Sequence, residues 1–426
     1  MTNRLRGIHP RLVPCAPDPR PSLAMLPALR DLGDDFAWAV WYAVWRVRGG
    51  QDADQAHGHA EALDRFGAAF GCVPALDDAL RTLADYLHGI GSRSDAADAL
   101  LRIGEWALER GAEEPAIQCA EAAAALVPDS ARRALAAGRA NRILGESPRA
   151  ALYYERAMTL ARLQRKWRSY VRAHLGLGHV KKSLGDRAAA RAHYFTAARA
   201  ARSLSGERWL AAQTRHDLMA LAAEGGEFDE ALRQAQTALQ WYPRHHARFP
   251  ALAHDLGFLL VRMDLYRSAV PLLKAVMRSK IPPQEQVIGW STLARASAGI
   301  TDTAGYDHAA EQVLRRVGLY DYFASGAFAN LAWGAWLLER WEEAEQYALR
   351  SLEIAASRPD AEAGAVSRMV LEHARDRRRG IVSSPSESQA RHVIQLANEM
   401  ATALSAWRGP TWKRKRQYGP ERLGKV

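Results

Sequence analysis

Cysteine is scarce in this 426-residue chain, occurring only as Cys15, Cys72 and Cys119. The number is odd, the spacing wide, and no Cys-x-x-Cys pair exists, which excludes a disulfide framework and suits free thiols in a reducing compartment. Lysine is scarce as well: eight of the 58 basic residues are lysine and the rest arginine. With the abundance of alanine, this bias leads us to expect a bacterial, GC-rich source. Long alternating runs of Val, Ile and Thr are missing, so no sheet is expected. The most apolar run, Phe36 to Trp45, is flanked by Asp34, Asp35 and Arg46 and is too short to span a bilayer. Arginines 4, 6 and 11 are not followed by the apolar core of a secretory signal. A cytoplasmic location is the resulting expectation.

Catalytic signatures are also missing. There is no phosphate-binding Walker loop, no His-Glu-x-x-His, no Gly-x-Ser-x-Gly and no dinucleotide glycine fingerprint; Gly176 and Gly178 form a pair without the third glycine. Histidines gather at His57/His59 and at His245, His246 and His254, but no carboxylate or cysteine frame surrounds either group. A metal site needs three or four converging ligands. We therefore expect no catalytic residue, no metal and no cofactor.

What the chain has is helix-forming residues in a repeating frame. Alanine, leucine, arginine and glutamate dominate, and 48% of residues are hydrophobic. Gly104 is followed twelve residues later by Ala116, then by Ala120, Ala123 and Pro128. Gly138 is followed by Ala150, Tyr154 and Ala157, and Gly178 by Ala190, Tyr194 and Ala197. The frame continues with Ala231, Ala235, Ala238 and Pro243, with Gly257 and Ala269, and with Ala344 and Ala348. Small residues twelve apart let two antiparallel helices approach closely. Residues four and seven further on share one face of the second helix, and a proline ends it.

This frame resembles the tetratricopeptide repeat, over roughly residues 95–358. Some positions depart from the family pattern: the fourth-position tryptophan is Leu100, Ala134 or His174, and Met219 replaces a glycine. The stretch 288–317 fits the frame poorly. Taking its second-helix alanine as Ala309, the alanines at 116, 150, 190, 231, 269, 309 and 344 step by 34, 40, 41, 38, 40 and 35 residues. The family period is about 34. The longer steps resemble the regulatory variety of these repeats, in which elongated hairpins bind a ligand or peptide and move an effector. The resemblance implies an all-α fold, a right-handed superhelical solenoid of antiparallel helix hairpins. It also implies a non-catalytic, regulatory role as a protein- or peptide-binding scaffold or adaptor.

The expected organisation is an extended N-terminal arm (1–33) with six prolines, a helical cap (34–94), the solenoid (95–379), a linker (380–389), a C-terminal helix (390–407) and a basic tail (408–426). Within the cap, Trp38, Trp41 and Trp45 share a helix face, and 65–87 reads either as a degenerate repeat or as a helix-turn-helix. Its second helix opens on Asp77 and Asp78, which phosphate would repel. Val393, Leu396, Met400, Leu404 and Trp407 form one stripe, suited to folding back on the stack or to dimerisation. From His373 to Val426, twelve Lys/Arg face four Asp/Glu, a net +8 of the chain's +11. In the tail, Trp412, Lys413, Arg414, Lys415, Arg416 and Tyr418 combine cations with aromatic rings, suited to an acidic partner or to nucleic acid.

First helices of such stacks line a concave groove. The register places Asp98, Glu105 and Glu109 there, then Arg132, Arg139 and Arg142, then Arg172, His179 and Lys182. Further on come His216, His254, Phe258, Asn330, Trp333 and Trp336. The groove residues expected to bind the partner are Arg132, Arg139, Arg142, Arg172, His179, Lys182, Asn330 and Trp333. Arginine forks suit carboxylates, an acidic peptide is the corresponding ligand, and the Asn330 amide suits a peptide backbone. A nucleic-acid-linked regulator using the tail is the alternative function.

Overall fold

The structure is a computed structural model that describes residues 25–26, 28–29, 33–48, 57–110, 112–204, 207–242, 246–279, 281–318, 321–378 and 387–405. Most of the expected arm, residues 380–386 and the whole tail lie outside these. The described residues form nineteen α-helices and no strand. They pack as two units, 1–181 and 182–426.

The first unit holds α1 (Asp34–Val47), α2 (His57–Ala68), α3 (Asp77–Leu87), α4 (Arg93–Leu108), α5 (Glu113–Leu126), α6 (Ala131–Leu144), α7 (Ser147–Leu163) and α8 (Trp167–Ser183), whose last two residues belong to the second unit. The α1 tryptophans are partly or wholly covered: Trp38 stacks on Tyr42 and Trp41 on Trp45, with Arg65 over Trp38. Eight residues, 69–76, separate α2 from α3, against the three or four of a DNA-binding helix-turn-helix. Asp77 takes the Gly71 amide at 2.7 Å, and Ala79, Leu80 and Leu83 are buried. Hairpins α4/α5 and α6/α7 follow, α5 packing on α6.

The second unit holds α9 (Arg187–Arg202), α10 (Arg208–Glu224), α11 (Phe228–Trp241), α12 (Phe249–Arg262), α13 (Tyr266–Arg278), α14 (Pro283–Gly299), α15 (Thr303–Val317), α16 (Ala324–Leu337), α17 (Trp341–Ser357), α18 (Ala361–Arg375) and α19 (Glu387–Ser405). Hairpins α10/α11, α12/α13, α14/α15 and α16/α17 stack so that first helix meets first helix: α10 on α12, α12 on α14, α14 on α16, and α16 on α18. Helix α19 begins three residues before the expected start. Its buried stripe, Val393, Leu396, Met400 and Leu404 as anticipated plus Ala397, packs on α13 and reaches α12 and α11.

Six of the hairpin turns, all those whose residue at that place is described, use one left-handed residue two positions before the second helix. Gly145, Gly185 and Gly226 fill this place before α7, α9 and α11. Asp264, Thr301 and Glu339 fill it before α13, α15 and α17, at φ 57°, 59° and 59°. This common turn corrects the register of one hairpin. Ala116, Ala150, Ala190, Ala231, Ala269 and Ala344 all lie three residues into their helix, and the equivalent in α15 is Tyr306, not Ala309. The poor fit of 288–317 therefore reflects a tyrosine standing where the other hairpins have alanine. Second helices start at 113, 147, 187, 228, 266, 303 and 341, giving steps of 34, 40, 41, 38, 37 and 38 residues.

The glycines also act differently from the expectation. Gly104 does face Ala116, but Gly138 makes room for the Tyr154 ring, and Gly257 for Leu273, sixteen residues on. Tyr154 reaches the next first helix too, lying against Gly176. In the second unit Tyr266 lies against Gly299 and Tyr306 against Gly334. A bulky second-helix side chain thus fills a notch in the following first helix and sets its distance.

Gly176→Ala places a methyl inside the Tyr154 ring contact, so we expect a loss of about 1–3 kcal/mol, read as a lower urea midpoint by circular dichroism. Thr301→Gly removes a β-branched residue from a left-handed site. The expected change is a gain of about 1 kcal/mol, seen as a higher midpoint in the same assay.

Candidate functional site: a polar ladder on the first helices

With the register corrected, the first-helix residues at the small-residue place of four consecutive hairpins are Met219, which departs from the pattern, Gly257, Ala294 and Ala332. Three residues before each stand His216, His254, Ser291 and Ala329. Two residues before each stand Asp217, Asp255, Thr292 and Asn330, and one after each Ala220, Phe258, Arg295 and Trp333. Residues three or four apart share a helix face, so these positions align from helix to helix.

The structure joins them by one repeated bond. His216 Nε2 donates to Asp255 Oδ2 at 2.7 Å. His254 Nε2 lies 3.1 Å from Thr292 Oγ1. Asn330 Nδ2 donates to Ser291 Oγ at 3.2 Å. Each bond links one hairpin's earlier position to the next hairpin's later one. Asp255 takes a second hydrogen bond from His254 Nδ1 at 2.9 Å. Burial works against the Asp255 charge, but the two imidazoles hold its carboxyl far below the usual carboxylate range. Burial raises the Asp217 carboxyl despite the charges of Arg248, His216 and Lys182.

Thr292, His254 and Asp255 form a hydroxyl–imidazole–carboxylate series that sequence reading missed, because Thr292 stands 38 residues from His254. The geometry resembles a nucleophile with its base, yet Thr292 is 0% exposed. Its hydroxyl also lies 2.9 Å from the Ile288 carbonyl. A hydroxyl sealed in a helix interface meets no substrate, so the series ties α12 to α14.

At the far end of these helices, charged groups converge. Lys182 pairs with Glu224 at 2.5 Å. Arg262 donates to the Glu224 carbonyl at 2.9 Å and lies 3.5 Å from Glu362. Residue 185 lies against Ala361, so the start of this unit meets the start of α18. Burial and the Glu224 charge push the Glu362 carboxyl up to about 8, against the pull of Lys182 and Arg262.

The residues expected to bind a partner are distributed as follows. In the first unit Arg132 is exposed and pairs with Asp98 at 3.3 Å. Its neighbour Arg133, not singled out by the register, is buried on the same carboxylate and on Ser94. Arg139 and Arg172 are exposed, Arg142 and His179 half-buried, and all four have interactions of their own. In the second unit Lys182 is held by Glu224, Trp333 is half-buried, and Asn330 is 5% exposed with its amide inside the ladder. Arg295 was missed: reading Ala309 as the repeat alanine displaced its helix by three positions. It is 2% exposed and lies over the Trp333 ring at 3.9 Å. The tail residues Trp412, Lys413, Arg414, Lys415, Arg416 and Tyr418 lie outside the described residues, as does His245. His246 stacks on Trp209. Among the described residues no group of three or more His, Cys, Asp and Glu is placed to hold a metal ion, and no helix is long and apolar enough to cross a membrane.

The raised Glu362 carboxyl gives a pH prediction. Its proton is held more tightly in the folded chain than in the unfolded one, so the associated stability is complete below about 4.5 and is lost as pH rises through about 8. Thermal melts between pH 5 and 9 are expected to show a smaller decline in Tm for Glu362→Gln than for the unsubstituted chain.

No family model matches the sequence, and a search of curated proteins finds no match. Solved structures do match. The structure of the anaphase-promoting complex hetero-tetramer Cut9–Hcn1 is 14% identical with a TM-score of 0.45, covering 78% of this chain and 62% of its own. The present chain thus spans less than two thirds of that relative's length. The yeast Sti1 TPR2AB domain in complex with an HSP90 peptide is 14% identical with a TM-score of 0.26, over 66% of this chain and 98% of its own. The P58(IPK) TPR domain is 14% identical with a TM-score of 0.23, over 75% and 94%. On its own hairpins, turns and helix order, the fold is an all-α solenoid of tetratricopeptide type.

Proposed function

We propose that this chain is a non-catalytic, cytoplasmic regulatory scaffold that holds a protein or peptide segment along its first-helix faces. The observation that carries this reading is the polar ladder. Four consecutive first helices carry polar side chains at matched positions about 38 residues apart, bonded to one another, and the half-buried His254, Asp255, Phe258 and Trp333 beside them reach the surface. Some of their atoms have no hydrogen-bond partner: His216 Nδ1 and Arg295 Nε are buried without one among the described residues. A regular spacing of donors and acceptors suits an extended segment, which repeats its own polar groups along its length. Exposed Arg139 and Arg172 would serve an acidic segment on the first unit, with Arg132, Arg142 and His179 beside them. On the second unit Lys182 and Trp333 would by themselves serve such a segment, while Asn330 positions Arg295.

A second reading is favoured by charge alone. The net +8 from His373 onward, with Trp412 and Tyr418 around the basic tetrad, suits nucleic acid held by the tail.

Affinity purification of the full chain followed by mass spectrometry separates the two. The scaffold reading predicts a defined protein that persists when 408–426 are removed and weakens with the Arg139→Glu, Arg172→Glu pair. If only nucleic acid is recovered, and truncation abolishes it, the tail reading replaces the scaffold reading.

A further inference from the structure

Arg295 is the one ladder residue whose charge the described residues leave without a carboxylate. At 2% exposure its guanidinium has lost nearly all water. It donates to Asn330 Oδ1 at 3.5 Å, a weak contact, and among the described residues its Nε has no acceptor; Tyr266, Asp264 and Glu362 favour its charge without bonding it. Trp333 lies on one face of the guanidinium at 3.9 Å. The acids near it are already engaged. Tyr266 donates to Asp264 at 2.6 Å, and Glu362 faces Arg262 at 3.5 Å. Burial lowers the Arg295 pKa to about 10, as expected of a cation held in a nearly dry place.

A buried charge without a partner costs several kcal/mol. Folded chains rarely retain one unless something else supplies the opposite charge. We infer that Arg295, with Trp333 over it and Asn330 beside it, forms a subsite for a single carboxylate brought by a ligand.

The charge balance selects a monoanion. Arg262 is half-buried and donates to the Glu224 carbonyl at 2.9 Å, in reach of water, so the one nearly dry positive charge is that of Arg295, and a carboxylate neutralises it. A dianionic phosphate would leave an excess negative charge in the same dry place. The guanidinium fork offers Nε and Nη as parallel donors, which match the two carboxylate oxygens. Trp333 is half-buried and lies between the guanidinium and the first-helix face, so a ligand reaches Arg295 only if the indole turns aside. The carboxylate comes from a free small acid or from a glutamate or aspartate of a bound segment. The subsite rests on the scaffold reading for the second source only.

The test uses the full chain, thermal melts and calorimetry with three probes: sodium acetate, a capped Ala-Ala-Glu-Ala-Ala peptide and its Gln counterpart. Without ligand, Arg295→Met is expected to melt at a higher temperature than the unsubstituted chain, since it removes an unpaired buried charge. Acetate or the Glu peptide is expected to raise the Tm of the unsubstituted chain and not that of Arg295→Met. Arg295→Lys keeps the charge without the fork, so it is expected to bind the carboxylate about tenfold more weakly. It also serves if Arg295→Met does not fold. An equal rise in all variants, with phosphate or chloride acting as well as acetate, overturns the subsite, as does the absence of any rise in the unsubstituted chain. Arg295-dependent acetate binding without peptide binding keeps the subsite and counts against the scaffold. Peptide binding that ignores Arg295 does the reverse.

Discussion

The distance between successive first helices is the constraint on which the rest depends. It is set where a bulky second-helix side chain fills a notch in the helix that follows. Tyr154 lies against Gly176, Tyr266 against Gly299, and Tyr306 against Gly334. Tyr306 is fully buried, its hydroxyl donating to the Leu331 carbonyl at 3.1 Å. The ring therefore fixes both spacing and register between α14/α15 and α16. Interiors packed at crystal-like density do not absorb a change at such a contact without moving a helix.

The ladder follows from that spacing. A bond of 2.7 Å from His216 to Asp255 and one of 3.2 Å from Asn330 to Ser291 need neighbouring first helices at a narrow range of separations. Each of these groups is desolvated by the approach and then satisfied by the next helix. Arg295 is the exception, desolvated as fully as its neighbours but joined to one distant amide oxygen. The same packing that completes the ladder elsewhere leaves this one charge for an outside partner.

Much of the architecture was legible in the sequence because small residues recur where helices must meet. Ala116, Ala150, Ala190, Ala231, Ala269 and Ala344 each stand three residues into a second helix, and the α19 stripe from Val393 to Leu404 is buried as its spacing implied. One hairpin broke the pattern, since Tyr306 occupies the alanine place and the nearby Ala309 imitates the motif. That single displacement hid Arg295, Ser291 and Thr292 from the groove positions. The glycine role was misread for a related reason: a glycine marks a close approach but does not say what approaches, and here it is a ring. The bonds of the ladder join residues 38 or 39 apart, and a period tells which positions align without telling which of them bond. The fate of the cations was equally hidden, since whether Arg132 or Arg133 is buried on Asp98 depends on helix rotation of one position.

The central claim is that the first-helix face of the second unit is where the partner lies. Hydroxyl-radical footprinting of the full chain, with and without its co-purified partner, tests this most directly, because Trp333 and Phe258 sit on that face, half-buried and oxidisable. The account predicts that both lose reactivity when the partner is bound. Unchanged reactivity there, with protection confined to Trp412 and Tyr418, would contradict it.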